Sequence, residues 1–175
     1  MAIRKPTKKE LKVIKKALAS FGSFDFLEEF SIYIKEGERK EVYAVSKDLE
    51  QFIGKLNEVA FGIKIGEVGK RFRFTVEGAF FLVKRNKKKV YVNEKGEMLF
   101  LYGRDIFRES IVDVTDDVRE NDIVFVCNKK GDIIGIGKAR FGRDRIFDVE
   151  EGRVVVENLV DRGEYIRKEK LYNAY

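Results

Sequence analysis

The stretch DIIGIGKARFGRDR, residues 132–145, combines the pattern of a tightly packed strand with a concentration of positive charge. Successive side chains of a strand point to opposite faces, so Gly135, Gly137 and Ala139 share one face. Small residues at alternate positions let another backbone, or a nucleotide, come close. The stretch also carries a cluster of four cations: Lys138, Arg140, Arg143 and Arg145. It predicts either a barrel strand followed by a solvated turn or a strand that presents cations to a polyanion.

Short apolar segments separated by Gly and Asp turns surround this strand in the second half of the chain. They are DIVFVC at 122–127, RVVVENLV at 153–160 and EYIRKE at 164–169. Strands of this length and spacing are typical of a small β-barrel. The preceding segment NEKGEM, residues 93–98, indicates a turn between two domains. We therefore expect a boundary after residue 92.

The first half predicts helices packed on an antiparallel sheet. A capping box, Thr7 with Glu10, opens an amphipathic helix, and residues 29–46 alternate around a charged Gly turn as a β-hairpin does. Ser46 is expected to cap a second helix whose apolar stripe is Leu49, Phe52, Ile53 and Leu56. The fold class is thus α+β: an N-terminal antiparallel-sheet α/β domain, residues 1–92, then a β-barrel domain, residues 93–175.

Composition removes several classes of function. The chain has no histidine and a single cysteine, Cys127, within an apolar run. This excludes His-dependent triads and disulfides, and we expect no cofactor and no metal. Charged residues make up 38% of the chain, with one Pro, a mix that resembles proteins from hot habitats. The start, MAIRKPTKKE, is too polar for a signal peptide, so we expect an intracellular protein.

Positive charge is concentrated in the first half. Residues 1–92 carry 21 Lys+Arg against 12 Asp+Glu, whereas residues 93–175 carry 15 against 18. A basic half indicates a polyanionic partner. The first helix carries Lys8, Lys12, Lys15 and Lys16 on its polar face, which is either a solvated surface or a direct RNA contact.

The run KRNKKK is the densest cluster of charge in the chain. Mutual repulsion predicts that it is exposed, either as a solvated turn or as a ridge that contacts phosphates. Its five cations are Lys84, Arg85, Lys87, Lys88 and Lys89.

The segment FLYGRDIFRESI, residues 100–111, places two arginines four residues apart. If the segment is helical, Arg104 and Arg108 share a face, because positions i and i+4 are neighbours on a helix. Asp105 and Glu109 lie beside them, but a surface ion pair of this kind contributes only about 0.2–0.5 kcal/mol. Both arginines would therefore remain available to a phosphate.

Three segments resemble the PUA domain, the RNA-binding module named after pseudouridine synthases and archaeosine transglycosylases. YGRDIF at 102–107, NDIVFV at 121–126 and GDIIGIGKA at 131–139 follow its order and spacing. The residues that match its pattern are Gly103, Asp122, Gly131, Gly135 and Gly137. Nearly the whole chain resembles the Nip-seven family of ribosome-assembly factors, with the closest matches in FLYG at 100–103 and DRGEYIRKE at 161–169. That family pairs an N-terminal α/β domain with a C-terminal PUA domain.

The resemblance implies a non-catalytic, RNA-binding factor for large ribosomal subunit biogenesis and pre-rRNA processing. It implies unpaired rRNA or pre-rRNA as a partner, other assembly or RNA-processing proteins bound through the N-terminal domain, and a cytoplasmic location, or a nucleolar one in a eukaryote. We place the RNA contacts on Arg104, Arg108, Lys138, Arg140, Arg143, Arg145, Arg167 and Lys168, with the KRNKKK run as a second candidate. Two alternatives stay open: an RNA-modifying enzyme or accessory subunit that carries a PUA domain, and a protein–protein adaptor in RNA processing or decay.

Overall fold

The chain folds into two compact units, Met1–Arg85 and Asn86–Tyr175. The computed structural model describes residues 3–23, 25–53, 62–82 and 86–163. None of the helices within these ranges is long and apolar enough to cross a membrane.

The first unit is built on a five-stranded antiparallel sheet whose strands follow chain order. The strands are β1 (Ile3–Arg4), β2 (Phe30–Lys35), β3 (Lys40–Ser46), β4 (Ile63–Val68) and β5 (Phe72–Phe74), and the helices are α1 (Lys8–Ser20), α2 (Phe26–Glu29) and α3 (Val76–Leu82). The predicted hairpin is confirmed as β2 and β3, with Tyr33 opposite Tyr43. Ile14 and Leu18 of α1 and Ile34, Val42 and Ile65 of the sheet are buried.

The N-terminus of α1 is fixed by a buried carboxylate. The predicted capping box is confirmed, since Glu10 donates its backbone N–H to Thr7 Oγ1 at 3.3 Å and accepts the Thr7 N–H at 2.8 Å. The same carboxylate also accepts hydrogen bonds from Arg4, at 2.8 and 3.0 Å, and from Lys40, at 2.8 Å. The bonds from Arg4, then those from Lys40 and Thr7, hold the pKa of the Glu10 carboxyl well below its ordinary range, although burial opposes them.

The segment after Ser46 differs from its prediction. It forms a 3₁₀ helix, Lys47–Phe52, without a side-chain cap, and Leu49 and Phe52 are 57% and 43% exposed. Glu50 provides the reason, because its carboxylate accepts hydrogen bonds from the hydroxyls of Ser31 and Tyr33 at 2.8 and 2.7 Å. The segment thus contacts the sheet through a polar side chain, and the predicted apolar stripe is wrong at Leu49 and Phe52; Leu56 lies outside the described residues.

The second unit is a nearly closed, barrel-like sheet of six strands, which confirms the predicted fold class. Its elements are β6 (Lys89–Val92), α4 (Glu94–Leu101), β7 (Ile106–Phe107), β8 (Ile111–Val114), β9 (Ile123–Cys127), β10 (Ile133–Ala139) and β11 (Val154–Asp161). The strand order is β7-β11-β10-β9-β6-β8, with β6 parallel to β9 and the other neighbours antiparallel.

Strand β6 belongs to this second sheet, because Val90 and Val92 are fully buried in its core. The structure therefore divides the chain between Arg85 and Asn86, whereas the sequence interpretation put the boundary after residue 92. The segment read as an interdomain turn is the start of α4. Asn93 is its N-cap, and its side-chain oxygen accepts the N–H of Gly96 at 2.8 Å.

Helix α4 ends just before the residues that the sequence interpretation placed on a helix, Arg104 and Arg108. Gly103 adopts φ +82°, its N–H donates to Phe100 O at 2.9 Å, and the N–H of Arg104 donates to Leu99 O at 3.0 Å. This pair of bonds is a Schellman motif, which ends a helix. The prediction of a helix that carries both Arg104 and Arg108 is therefore wrong: the helix precedes them, and Arg108 begins a short 3₁₀ turn, Arg108–Ser110.

The small residues of β10 make room for a neighbouring strand. A Cβ at Gly135 would lie 2.3 Å from the carbonyl oxygen of Val160 and 2.5 Å from the ring of Phe100. A Cβ at Gly137 would lie 2.5 Å from the side chain of Val156. The sequence left open whether another backbone or a nucleotide lies close to these glycines. The structure shows the backbone of β11 there.

Replacement of Gly135 with Ala is expected to destabilise the second unit by roughly 1–3 kcal/mol, the usual cost of overpacking. The backbone oxygen of Val160 cannot move without disrupting the β10–β11 pairing. Urea unfolding followed by far-ultraviolet circular dichroism measures the effect. Gly69→Ala is the control, because no atom lies within 4 Å of a Cβ there. Equal unfolding midpoints for the two variants would contradict the packing argument.

Replacement of Glu10 with Gln is expected to lower the free energy of unfolding at pH 7 by about 2 kcal/mol, typical of lost charged hydrogen bonds. Because the folded-state pKa is depressed, this stabilisation is present above the ordinary pKa and is lost as pH falls toward the folded value. Thermal melts at pH 7 and about pH 3 should therefore show a smaller acid effect in the variant than in the wild type.

The control for this measurement is Glu36→Gln. Glu36 binds the same Arg4 at 2.8 Å but is 48% exposed, so its loss should cost less than about 1 kcal/mol. If the melting temperature of Glu10→Gln falls on acidification as much as that of the wild type, Glu10 is not the source of the acid-sensitive stability.

Candidate nucleic-acid interface

Nine of the thirteen predicted contact residues lie in the described part of the second unit. Lys84, Arg85, Arg167 and Lys168 lie outside the described residues. The nine differ widely in exposure and in the groups that hold them.

The loop that follows β10 is pinned to its neighbours by backbone bonds. The N–H of Arg140 donates to Val155 O and that of Arg143 to Val118 O, both at 2.9 Å. The Arg140 guanidinium also binds Glu157 Oε1 on β11 at 2.8 and 3.0 Å. These contacts fix the direction in which the loop presents its cations.

Phe147 brings two arginines together. The guanidinium of Arg143 lies 4.7 Å from its ring centroid and that of Arg108 5.1 Å. Arg108 also donates two hydrogen bonds, of 3.1 and 3.0 Å, to the Phe147 carbonyl. Arg143 lies 3.6 Å from a carboxylate oxygen of Asp116 and 4.0 Å from one of Asp113. Arg108 therefore holds the loop through hydrogen bonds, whereas the ion pairs of Arg143 are long.

Two adjacent depressions open on this surface. One, of about 560 Å³, is lined by Glu120, Asn121, Arg140, Phe141, Arg153, Val154 and Glu157. The other, of about 500 Å³, is lined by Asp116, Val118, Arg119, Glu120, Phe141, Gly142, Arg143, Asp144 and Arg145. They meet at Glu120 and Phe141, and the Arg153 guanidinium lies 5.9 Å from the Phe141 ring centroid. We call the five arginines around Phe141 the arginine surface: Arg119, Arg140, Arg143, Arg145 and Arg153.

The arginine surface can bind phosphates and aromatic rings together. A guanidinium pairs with phosphate through a planar fork and stacks on aromatic faces, and Phe141 adds an aromatic ring. Asp116, Glu120 and Asp144 lie in the same lining, so the charge is mixed. Exposed ion pairs contribute only about 0–1 kcal/mol, and a ligand can displace them. Carboxylates also accept hydrogen bonds from amino groups, which favours a ligand with donors as well as phosphates.

Sequence reasoning missed Arg119 and Arg153. Arg119 lies between β8 and β9, and Arg153 directly precedes β11. Neither belongs to a local cluster of cations, and they join the lining of the depressions only through the folding of the sheet. No signal in the sequence marks them.

Of the predicted residues, Arg104 and Lys138 do not line the depressions. Arg104 is exposed after α4, and its carbonyl accepts a bond of 3.3 Å from Asn158. Within the described ranges, Arg104 makes no hydrogen bond or ion pair with a residue that lines a depression. Lys138 is half-buried on β10, opposite Glu157 in the strand register, and therefore adjoins the arginine surface.

The lysine run is only partly a free surface. Lys87 is exposed, but the side chain of Lys88 is only 16% exposed and pairs with Asp122. The backbone N–H of Lys88 donates to Asp117 at 3.0 Å. Burial alone would raise the pKa of Asp117, but this bond and one from Thr115 lower it. Lys89 is half-buried in β6, so the prediction of a wholly exposed run is wrong for Lys88 and Lys89.

Cys127 is a buried core residue, as its apolar surroundings predicted. Burial raises the pKa of its thiol to about 11, so the thiol stays protonated near neutral pH. Across the described ranges, no group of three or more metal-binding side chains could hold an ion.

Known protein families account for nearly the whole chain. The family model for the NIP7/UPF0113 pre-PUA domain matches residues 3–77, and that for the UPF0113 PUA domain matches residues 88–170. The UPF0113 protein of Archaeoglobus fulgidus is 55% identical over 175 residues, which cover all of both chains. The 60S ribosome subunit biogenesis protein NIP7 of Saccharomyces cerevisiae is 25% identical and covers 95% of this chain and 97% of its own.

A solved structure shares the fold. The conserved PUA domain protein from Thermoplasma acidophilum superposes with a TM-score of 0.68 at 20% identity, over 95% of this chain and 99% of that one. The PUA match includes β6, in agreement with the place of that strand in the second sheet.

Proposed function

The chain belongs to the NIP7/UPF0113 family, and on that premise we propose that it is an RNA-binding factor for large ribosomal subunit biogenesis and pre-rRNA processing. The name of the yeast relative supports the ribosomal part of the proposal. The arginine surface around Phe141 supports the RNA-binding part. The protein acts by binding and not by catalysis, a role that suits a chain without histidine whose cysteine is buried and protonated.

The RNA segment that contacts the arginine surface is unpaired. Unpaired bases can stack on aromatic rings and on guanidinium planes, and both are present around Phe141 and Phe147. Arg145, which is exposed, and Arg143 contact phosphates and set the position of the strand. Arg140, Lys138 and Arg153 border the position of the bases. Arg108 acts indirectly, because its bonds to the Phe147 carbonyl hold the aromatic ring in place.

The remaining predicted contacts complete the proposal. Arg104 and Lys87 are exposed, and with Lys84, Arg85, Arg167 and Lys168 they extend the RNA contact beyond the arginine surface. Other ribosome-assembly or RNA-processing proteins bind through the first unit. Such a role places the protein in the cytoplasm, where ribosomal subunits are assembled in cells without a nucleus, as in the archaeal relative.

The double variant Arg143→Ala/Arg145→Ala is expected to bind unpaired rRNA transcript more weakly than the wild type. Each lost phosphate contact removes just under one unit of slope from the plot of log affinity against log salt, so the slope should flatten by roughly 1–2 units. Fluorescence anisotropy over a salt series measures both quantities.

The matched control for this pair is Lys129→Ala/Lys130→Ala. It removes the same charge from exposed positions in the turn at the other end of β10. The control should keep a slope near that of the wild type, and a thermal melt checks that each variant is folded. Unchanged affinity and slope in the arginine variant would remove Arg143 and Arg145 from the binding surface.

Crosslinking the protein to RNA in cells and sequencing the attached RNA should recover precursor rRNA of the large subunit. The reads should concentrate at a few sites and fall when Arg143 and Arg145 are replaced. Enrichment of transfer or messenger RNA alone would contradict the ribosomal part of the proposal while leaving the RNA-binding part intact.

A further inference from the structure

Helix α1 of the first unit presents a continuous stripe of lysines. We call it the lysine stripe: Lys8, Lys9, Lys12, Lys15 and Lys16, all of them exposed. At 3.6 residues per turn, the five side chains fall within an arc of about 120° and extend over about 12 Å of the helix. Ile14 and Leu18 lie on the opposite face and are buried. The whole outer face of the helix is thus cationic.

The stripe has no carboxylate of its own. Glu10 is the only acidic residue of α1, and it is buried and bound to Arg4 and Lys40. Among the described residues, none of the five lysine side chains takes part in a hydrogen bond or an ion pair. Elsewhere in the same unit, charges on the sheet do pair, as Lys64 does with Glu41 at 2.6 Å.

The arrangement opposes the stability of the helix. Lys8 and Lys9 lie in the first turn, where the helix dipole disfavours positive charge. Lys12 is four residues from both Lys8 and Lys16, and like charges at that spacing repel. A face needed only for solubility would intersperse both signs of charge. The retained repulsion indicates that a polyanion neutralises the stripe.

We propose that the lysine stripe binds the phosphate backbone of double-stranded RNA. The proposal rests on the proposed function and adds a second, chemically different contact to it. Double-stranded RNA is recognised by shape and through its backbone, for which the point charges of ammonium groups suffice. Unpaired RNA binds through stacking on aromatic rings, and the stripe contains none.

A protein partner fits the stripe less well than a duplex. Protein interfaces are depleted in lysine and need an apolar centre. None of the exposed large apolar side chains in the described ranges lies on α1. The two RNA contacts therefore divide by chemistry: paired regions bind the lysine stripe, and unpaired nucleotides bind the arginine surface.

The test compares the full-length protein with the variant Lys12→Gln/Lys15→Gln/Lys16→Gln. Affinities are measured over a salt series for a short RNA duplex and for a single strand of the same length. The variant should bind the duplex more weakly, with a slope reduced by roughly 2–3 units, while its affinity for the single strand changes much less. Its melting temperature should not fall, because the substitutions remove repulsion.

The matched control, Lys47→Gln/Lys70→Gln/Lys129→Gln, removes the same three charges from exposed positions off the helix. It should bind the duplex almost as the wild type does. Acetylation of exposed lysines, followed by mass spectrometry, gives a direct readout. Duplex RNA should protect Lys12, Lys15 and Lys16 but not Lys47 or Lys70.

Four outcomes would overturn the proposal. Equal losses in the stripe variant and in the control would show an effect of net charge alone. Displacement of the duplex by polyglutamate as effectively as by RNA would assign the stripe to acidic proteins. A stripe variant that binds the duplex normally, beside an Arg143→Ala/Arg145→Ala variant that loses the single strand, would overturn this inference and leave the proposed function standing. Wild-type protein that binds neither RNA would overturn both.

Discussion

The close approach of β10 and β11 is the constraint on which the second unit depends. The backbone of β11 and the ring of Phe100 occupy the space where a side chain of Gly135 would be. Asn158 on β11 then holds the end of α4, since its side chain donates to the carbonyls of Phe100 and Arg104 at 2.9 and 3.3 Å. Because β11 also pairs with β7, the same strand positions the segment that carries Arg108. The helix, the barrel-like sheet and the arginine surface therefore share one set of contacts.

Local patterns predicted the elements that depend on near neighbours. The capping box at Thr7, the β2–β3 hairpin and the strands β9, β10 and β11 follow from spacing and alternation along the chain. The errors arose where one residue outside the periodic pattern decides the outcome. Glu50 turns the segment after Ser46 toward two hydroxyls of β2, and Gly103 ends α4 before the arginines of residues 100–111 are reached. Neither effect leaves a periodic signal in the sequence.

The candidate site shows the same division. Arg140, Arg143 and Arg145 stand close together in the sequence and also in the structure, so the cluster could be predicted. Arg119 and Arg153 join them only through strand pairing. The structure also distinguishes the cations by the contacts that they make. Lys88 pairs with Asp122, and Arg108 donates a hydrogen bond to a carbonyl, whereas Arg145 is exposed. Charge density alone cannot make that distinction, because it counts a structural lysine and a free one equally.

The place of β6 in the middle of the second sheet has a practical consequence for dissecting the protein. The strand lies between β9 and β8, and Lys88 anchors its start through Asp117 and Asp122. A fragment that begins at residue 93 would lack this interior strand and would leave two open sheet edges beside an uncovered core. Unpaired edges invite association between chains. Such a fragment would aggregate for reasons unrelated to its ligand, so the isolated second unit is meaningful only if it starts ahead of Lys88.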